Sequence, residues 1–259
     1  MTTREGLHIL CFGASLTAGY LKSGALYHPY AGALEVALNK AFPSVNITID
    51  VQGLSGDDVI SPPGGFLPRM DILYEEAHPA HPYTHAVILG GTNDLVHLRH
   101  SREIYQALQA VWAIPLSHNT TVIALTIPEC PGCSQVPAAR LDRLNAAIMK
   151  RGGCVEDGGK FYTLDLHARI PYVDLHEEER SEIWGDGVHF TAKGYDLMGN
   201  IIAEKIINLV ASEMEELGEV DEVETKHKNV ETNKIYRLKD DGKSERNFEG
   251  KLLRSGRVL

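Results

Sequence analysis

Short apolar runs alternate with amphipathic stretches from Leu7 to about residue 215, and that rhythm restricts the chain to few folds. Residues 7–12, 85–89 and 121–127 are short and apolar enough to be buried strands, residues 45–51 alternate with β-branched residues as a further strand, and residues 161–165 form a weaker fifth. Runs with little polar alternation belong to strands covered on both faces, as in parallel sheets. Between them, residues 30–42 put Leu34, Ala37, Leu38 and Ala41 on one helical face. Residues 104–114 and 136–149 repeat that pattern; residues 67–77 do so less cleanly, because Pro68 is tolerated only in a first turn. A last helix starts at Thr191, a suitable N-cap, with Tyr195, Met198, Ile202, Ile206 and Leu209 on one side. Strands and helices in this order build βαβ crossovers, so the expected class is α/β: a three-layer α/β/α sandwich around a five-stranded parallel sheet.

In such sheets ligands bind beyond the carboxyl ends of the strands. The first strand runs into Gly13-Ala14-Ser15-Leu16, the second ends near Gly53, and the third leads to Gly91-Thr92-Asn93-Asp94. Ser15 follows a strand and a glycine at the start of a helical turn, so one residue offers both a hydroxyl nucleophile and an unpaired backbone donor. Gly53 has no side chain to stop its N–H approaching the same point. Asn93 can aim its amide N–H groups at a developing negative charge, although a buried asparagine can equally cap a helix. Just before the last helix lies Asp186-Gly187-Val188-His189, where the carboxylate can curl back to the imidazole Nδ1 and turn Nε2 toward a serine. Asp165 and His167, two residues apart, are a competing and weaker pair. Asp94 reads as a structural carboxylate for nearby backbone N–H groups.

Taken together and in this order, the four blocks resemble those of the SGNH hydrolases, also known as the GDSL esterase/lipase family. The resemblance covers residues 7 to about 210 and implies a flavodoxin-like sandwich that acts as a serine esterase. It implies Ser15 as nucleophile, His189 as general base and then acid, and Asp186 as the group orienting it. Ser15 and Gly53 would supply two oxyanion-hole N–H groups, and the Asn93 side chain a third donor. The family's usual Asp before the serine is Ala14 here, which spares the chemistry but removes a side chain that could brace the turn. Two other readings are a catalytically degenerate binding protein of the same fold and an unrelated flavodoxin-like binding module. The intact Ser15, Gly53, Asn93, Asp186 and His189 weigh against the first, and the lack of a G-x-x-x-x-G-K-[ST] phosphate loop against the second.

The net charge is -10, and residues 219–259 are close to balanced, so the acidity belongs to the body of the chain. No basic field exists to attract nucleic acid. Residues 1–218 are expected to form the hydrolase domain. Residues 219–259, of mixed charge and without sustained period, are expected to be a disordered tail. The first residues lack the apolar core of a secretory signal, and no run approaches the roughly 18–20 apolar residues of a membrane span, which gives a cytoplasmic expectation. No cofactor or metal is implied. Four cysteines are too few for a disulfide framework, and reduced thiols are expected; Cys130-Pro131-Gly132-Cys133 has redox or metal spacing but no second pair to complete a zinc site. The expected partner is a small ester, bound in an open site walled by residues 19–29 (with Tyr20, Leu26, Tyr27 and His28), 64–66 and 128–137.

Overall fold

The computed structural model describes residues 6–77, 81–133, 135–152 and 158–216. Its five main strands are β1 (Leu7–Gly13), β4 (Ile47–Gly53), β5 (His85–Leu89), β6 (Thr121–Leu125) and β7 (Phe161–Leu164); β2 (Tyr20–Leu21) and β3 (Leu26–Tyr27) pair as a separate small antiparallel ribbon. The helices are α1 (Ser15–Ala18), α2 (Ala31–Ala41), α3 (Phe66–Glu76), α4 (Thr92–Val96), α5 (Ser101–Ser117), α6 (Ala138–Arg151), α7 (Leu166–Arg169), α8 (Glu177–Ile183) and α9 (Ala192–Glu216). The chain divides into units Met1–Met214 and Glu215–Leu259. The tail expected from residue 219 lies outside the described residues.

The main sheet has the order β4-β1-β5-β6-β7, all parallel. From β1 the chain steps outward to β4, then returns past β1 to β5 and continues the other way. Right-handed crossovers then put the connections on opposite faces, with α2 on one and α3, α5 and α6 on the other. Helix α9 joins α2, with Gly199 seated against Tyr30, Ala33 and Leu34. This is the expected three-layer α/β/α sandwich. The central strands β5 and β6 are buried at every residue, whereas the edge strand β4 is buried only at Ile47. One core joins both faces of the sheet and includes Phe12, Leu34, Ile88, Trp112, Ile123, Tyr195 and Ile202.

Most element boundaries fall within two residues of expectation, and the departures have local causes. Strand β6 stops at Leu125 rather than Ile127, because Asn145 takes over both backbone groups of Ile127, at 2.8 and 2.9 Å. Helix α5 runs on to Ser117 through Pro115, where the expected helix ended at Ile114; so near its C-terminus the missing N–H costs a single bond. Thr191 caps α9, accepting from Gly194 N–H at 3.1 Å.

Two carboxylates fix the loop between β4 and α3. Asp94, fully buried in α4, accepts from the N–H groups of Val59 and Ile60, both at 2.9 Å and on different oxygens. Asp57 accepts from Gly65 N–H at 2.6 Å and pairs with Arg69 Nη1 at 2.6 Å. Burial pushes the Asp94 carboxyl up, the two N–H groups pull it down, and nearby Asp58 raises it further, leaving it above the ordinary range. Asp94→Asn keeps one acceptor and turns a donor toward the other N–H. It is expected to cost about 1–3 kcal/mol, lowering the thermal midpoint by roughly 2–10 °C; an unchanged melting curve would show that Asp94 does not hold this loop.

Candidate active site

Parallel register brings the first three blocks together. Gly13, at the end of β1, lies beside Gly53 on one side and Leu89 on the other, so the chain leaves all three strands at the same level of the sheet. The topological switch point lies here, between β1, whose connection runs to β4, and β5, whose connection runs the other way to β6. Ser15 opens α1 directly above it. Ala14 caps α1 without a side-chain hydrogen bond, and the backbone closes the turn instead: Ala18 N–H donates to Ala14 O at 3.0 Å, and Leu54 N–H to Gly13 O at 3.1 Å. Gly53 touches this helix closely enough that a Cβ would overlap the backbone of Thr17 and Ala18, which accounts for glycine there.

Ser15 Oγ lies 3.0 Å from His189 Nε2. On the other side of the ring, His189 Nδ1 is 2.9 Å from Asp186 Oδ2 and 3.2 Å from Oδ1. Asp186 is acceptor-only when ionised, so Nδ1 carries the proton and Nε2 is free to accept from the serine hydroxyl. The same carboxylate accepts from the N–H groups of Val188 (3.0 Å) and His189 (2.7 Å), so the 186–189 turn is wound around it. Around that turn Trp184 and Phe190 form an antiparallel bridge, and Gly185 N–H donates to His189 O at 2.8 Å. Trp184 Nε1–H is itself anchored on Pro171 O at 3.0 Å. Asn93, half-buried at the start of α4, gives one amide hydrogen to Asp57 O at 2.8 Å, which sets the plane of the amide.

The competing pair is not assembled. Asp165 caps α7 by accepting from Ala168 N–H and also accepts from Thr126 Oγ1, while His167 Nδ1 faces Ile127 O at 3.2 Å. Several contributors carry no motif. Arg69 lies among the strand ends, with Nη2 2.5 Å from Gln52 O, Nη1 3.4 Å from Gly13 O and its guanidinium 4.6 Å from the Phe12 ring centre. Tyr20, on the ribbon, packs against the His189 ring with centroids 4.5 Å apart. A cavity of about 350 Å³ lies on the β6 side, lined among others by Thr92, Leu95, Ile127, Val136, Leu141 and Val173. Ser15 and His189 are not in its wall, but Thr92 precedes Asn93, and the 130–133 loop, also in its wall, touches the 186–189 turn.

Against the expectation of reduced thiols, Cys130 and Cys133 are joined as a disulfide, their Cα atoms 5.2 Å apart and within bonding reach; Cys11 is a free, buried thiol, and Cys154 lies outside the described residues. Among the described residues no cluster of His, Cys, Asp and Glu could hold a metal, and no helix is long and apolar enough to cross a membrane.

The model of the GDSL-like lipase/acylhydrolase family matches residues 11–197, and the chain belongs to that family. No curated protein matches it. Among solved structures it is similar to Axe2, an acetylxylan esterase from Geobacillus stearothermophilus, at 19% identity and a TM-score of 0.58, covering 79% of this chain and 96% of that one. It is similar also to a member of the lipolytic protein G-D-S-L family from Veillonella parvula, at 20% identity and a TM-score of 0.55, covering 77% and 97%. At these identities the likeness establishes the fold.

The bonds to the 186–189 turn have a consequence for stability. Burial alone would raise the Asp186 carboxyl, but His189 and the two N–H groups more than offset it and hold it below its ordinary value of 3.8. A carboxyl depressed on folding stabilises the native state above its unfolded value, and that contribution disappears as pH falls through the folded one. Asp186→Asn is therefore expected to be less stable than wild type at neutral pH, with the gap closing as urea unfolding is followed below the ordinary value. A gap independent of pH would mean that the ionised carboxylate does not hold the turn.

Proposed function

We propose that the protein is a serine esterase that hydrolyses carboxylic esters of small or medium acyl or aryl groups. The observation that carries this is the relay from Ser15 Oγ through His189 to Asp186, with contacts of 3.0 and 2.9 Å. His189 Nε2 takes the hydroxyl proton as Ser15 attacks the ester carbonyl, and Asp186 stabilises the imidazolium that results. The tetrahedral oxyanion is received by the N–H groups of Ser15 and Gly53 and by the Asn93 amide hydrogen that Asp57 O does not use. His189 then protonates the departing alcohol. Water repeats the sequence on the acyl-enzyme, releasing the acid and freeing Ser15.

The cavity beside Asn93 supports the substrate range. Its size is at the lower end for small-molecule sites, and Leu95, Ile127, Val136, Leu141 and Val173 make its wall largely apolar. An acyl chain of a few carbons or a phenyl ring fits that space, while a long lipid chain exceeds it.

A fluorophosphonate probe is expected to label wild type and not Ser15→Ala, and labelling that persists in the variant would remove Ser15 as nucleophile. Asn93→Ala should lower kcat on p-nitrophenyl acetate by about 10²- to 10³-fold, the usual loss of one oxyanion donor; a variant as fast as wild type would take Asn93 out of the hole. For the cavity, kcat/KM is measured across p-nitrophenyl esters from acetate to palmitate. Leu141→Trp should depress butyrate and hexanoate about tenfold more than acetate. A uniform effect, or a wild-type preference for palmitate, would place the acyl group elsewhere.

A further inference from the structure

The loop Cys130-Pro131-Gly132-Cys133 contributes nothing to the relay, yet it touches the turn that carries two of the relay's three groups. Gly132 N–H donates to Gly187 O at 3.1 Å, between Asp186 and His189. The approach is close: a Cβ on Gly132 would lie 2.8 Å from Val188 Cγ2 and 3.3 Å from Asp186 O, and one on Gly187 would lie 3.4 Å from Pro131 Cγ. The disulfide and a Cys133 N–H to Cys130 O bond of 2.9 Å close the loop into one tight turn, which aims the Gly132 N–H outward. Cys133 is buried, Cys130 is half-buried, and Pro131 and Gly132 between them are exposed, so the bond can be reached from solvent at its Cys130 end.

We propose that the Cys130–Cys133 disulfide is a thiol–disulfide exchange site for a dithiol reductant, and that its redox state sets how firmly the 186–189 turn is held. The coupling to turnover rests on the esterase reading above. In the exchange, a thiolate of the reductant attacks Cys130 Sγ, the Cys130–Cys133 bond breaks, and Cys133 leaves as a thiolate that takes up a proton. The reductant's second thiolate then attacks its own sulfur in the mixed disulfide and releases Cys130. The reductant loses two electrons and becomes a disulfide, and the protein gains two thiols. Two sulfurs formerly at bonding distance must then separate to van der Waals contact. The loop cannot take up that change by moving inward, because Gly132 is already against Val188; moving outward breaks its bond to Gly187. The 186–189 turn then loses its tie to this loop and keeps the bonds within itself, the Trp184–Phe190 bridge, and the contacts of His189 with Ser15 and Tyr20. Small misplacements of a reacting group are costly, about 10²-fold for 1 Å.

The test takes the full-length protein through a dithiothreitol series and back by reoxidation. Each point is read by iodoacetamide adducts in mass spectrometry, kcat/KM on p-nitrophenyl butyrate, and deuterium uptake of the peptide spanning residues 184–190. Expected are two adducts gained on reduction, on Cys130 and Cys133, with buried Cys11 unmodified and the labelling of Cys154 the same in both redox states. With them should come a fall in kcat/KM of about tenfold or more and faster uptake, both reversed on reoxidation. The double variant Cys130→Ser/Cys133→Ser should sit at the level of reduced wild type and ignore the reductant. A native protein that gains no adducts at Cys130 and Cys133 on reduction would overturn the exchange site, and adducts at both with unchanged turnover and uptake would overturn the coupling. Absence of hydrolysis in both redox states would refute the esterase reading, while adducts and uptake would still decide the exchange site and its hold on the turn.

Discussion

The candidate site depends on the register of three parallel strands. Gly13 of β1 stands between Gly53 of β4 and Leu89 of β5, so the segments that leave these strands start at one level and diverge around one point. A slip of one residue in either pairing would carry Gly53 or the Asn93 turn away from Ser15 by about 3.3 Å, more than a hydrogen bond tolerates. Between β1 and β5 buried strands hold that register, because a slip would also exchange the side chains on their two faces, while β4, buried only at Ile47, is tied at its end by Leu54 N–H to Gly13 O. The chemistry at the sheet edge is thus positioned by apolar packing well below it.

A polar clamp reinforces the same level. Arg69 donates to Gln52 O and Gly13 O on adjacent strands and to the Asp57 carboxylate, and Asp57 O in turn receives the Asn93 amide. One ion pair therefore links the ends of β1 and β4 to the orientation of the side chain proposed for the oxyanion. Both partners are largely shielded, with side-chain exposures of 20% for Arg69 and 6% for Asp57, so each requires the other. The brace that Ala14 cannot supply at the serine turn is met from this side, by the guanidinium and by Leu54 N–H on the Gly13 carbonyl.

How much of this could be read from the sequence follows from the range of the interactions. The five strands and the main helices are written in local periodicity, and the common placement of Ser15, Gly53 and Asn93 was legible because each lies at or just beyond the end of a strand expected to be parallel. The Asp186–His189 pair was legible because its contact is made within one turn. Arg69, the packing of Tyr20 on the His189 ring and the anchoring of Asn93 on Asp57 O were not, since each depends on segments brought together only by the fold. The bond between Cys130 and Cys133 stays open in the sequence because composition speaks for reduced thiols, whereas pairing is decided by the local turn. The strand expected to end at Ile127 failed for a similar reason: the competitor for its backbone, Asn145, lies 18 residues away on α6.

The imidazole reaches Ser15 across 174 residues of sequence, and the turn that carries it lies on no strand of the main sheet. Register therefore cannot position it as it positions Gly53 and Asn93. Its place is set by loops holding loops: Phe190 and Trp184 bridge its base, Trp184 is tied to Pro171, and Glu129 accepts from the N–H groups of Tyr172 and Val173 at 2.6 and 2.7 Å. Gly132 completes the chain of contacts by meeting Gly187 directly. Two of these ties, those of Glu129 and Gly132, come from the segment that follows β6. Ser15 and the proposed oxyanion donors are thus held by the sheet, and the turn that carries His189 is held in part by the loop after its fourth strand in the order, which makes that loop a part of the fold through which the geometry of the relay can be altered from outside the sheet.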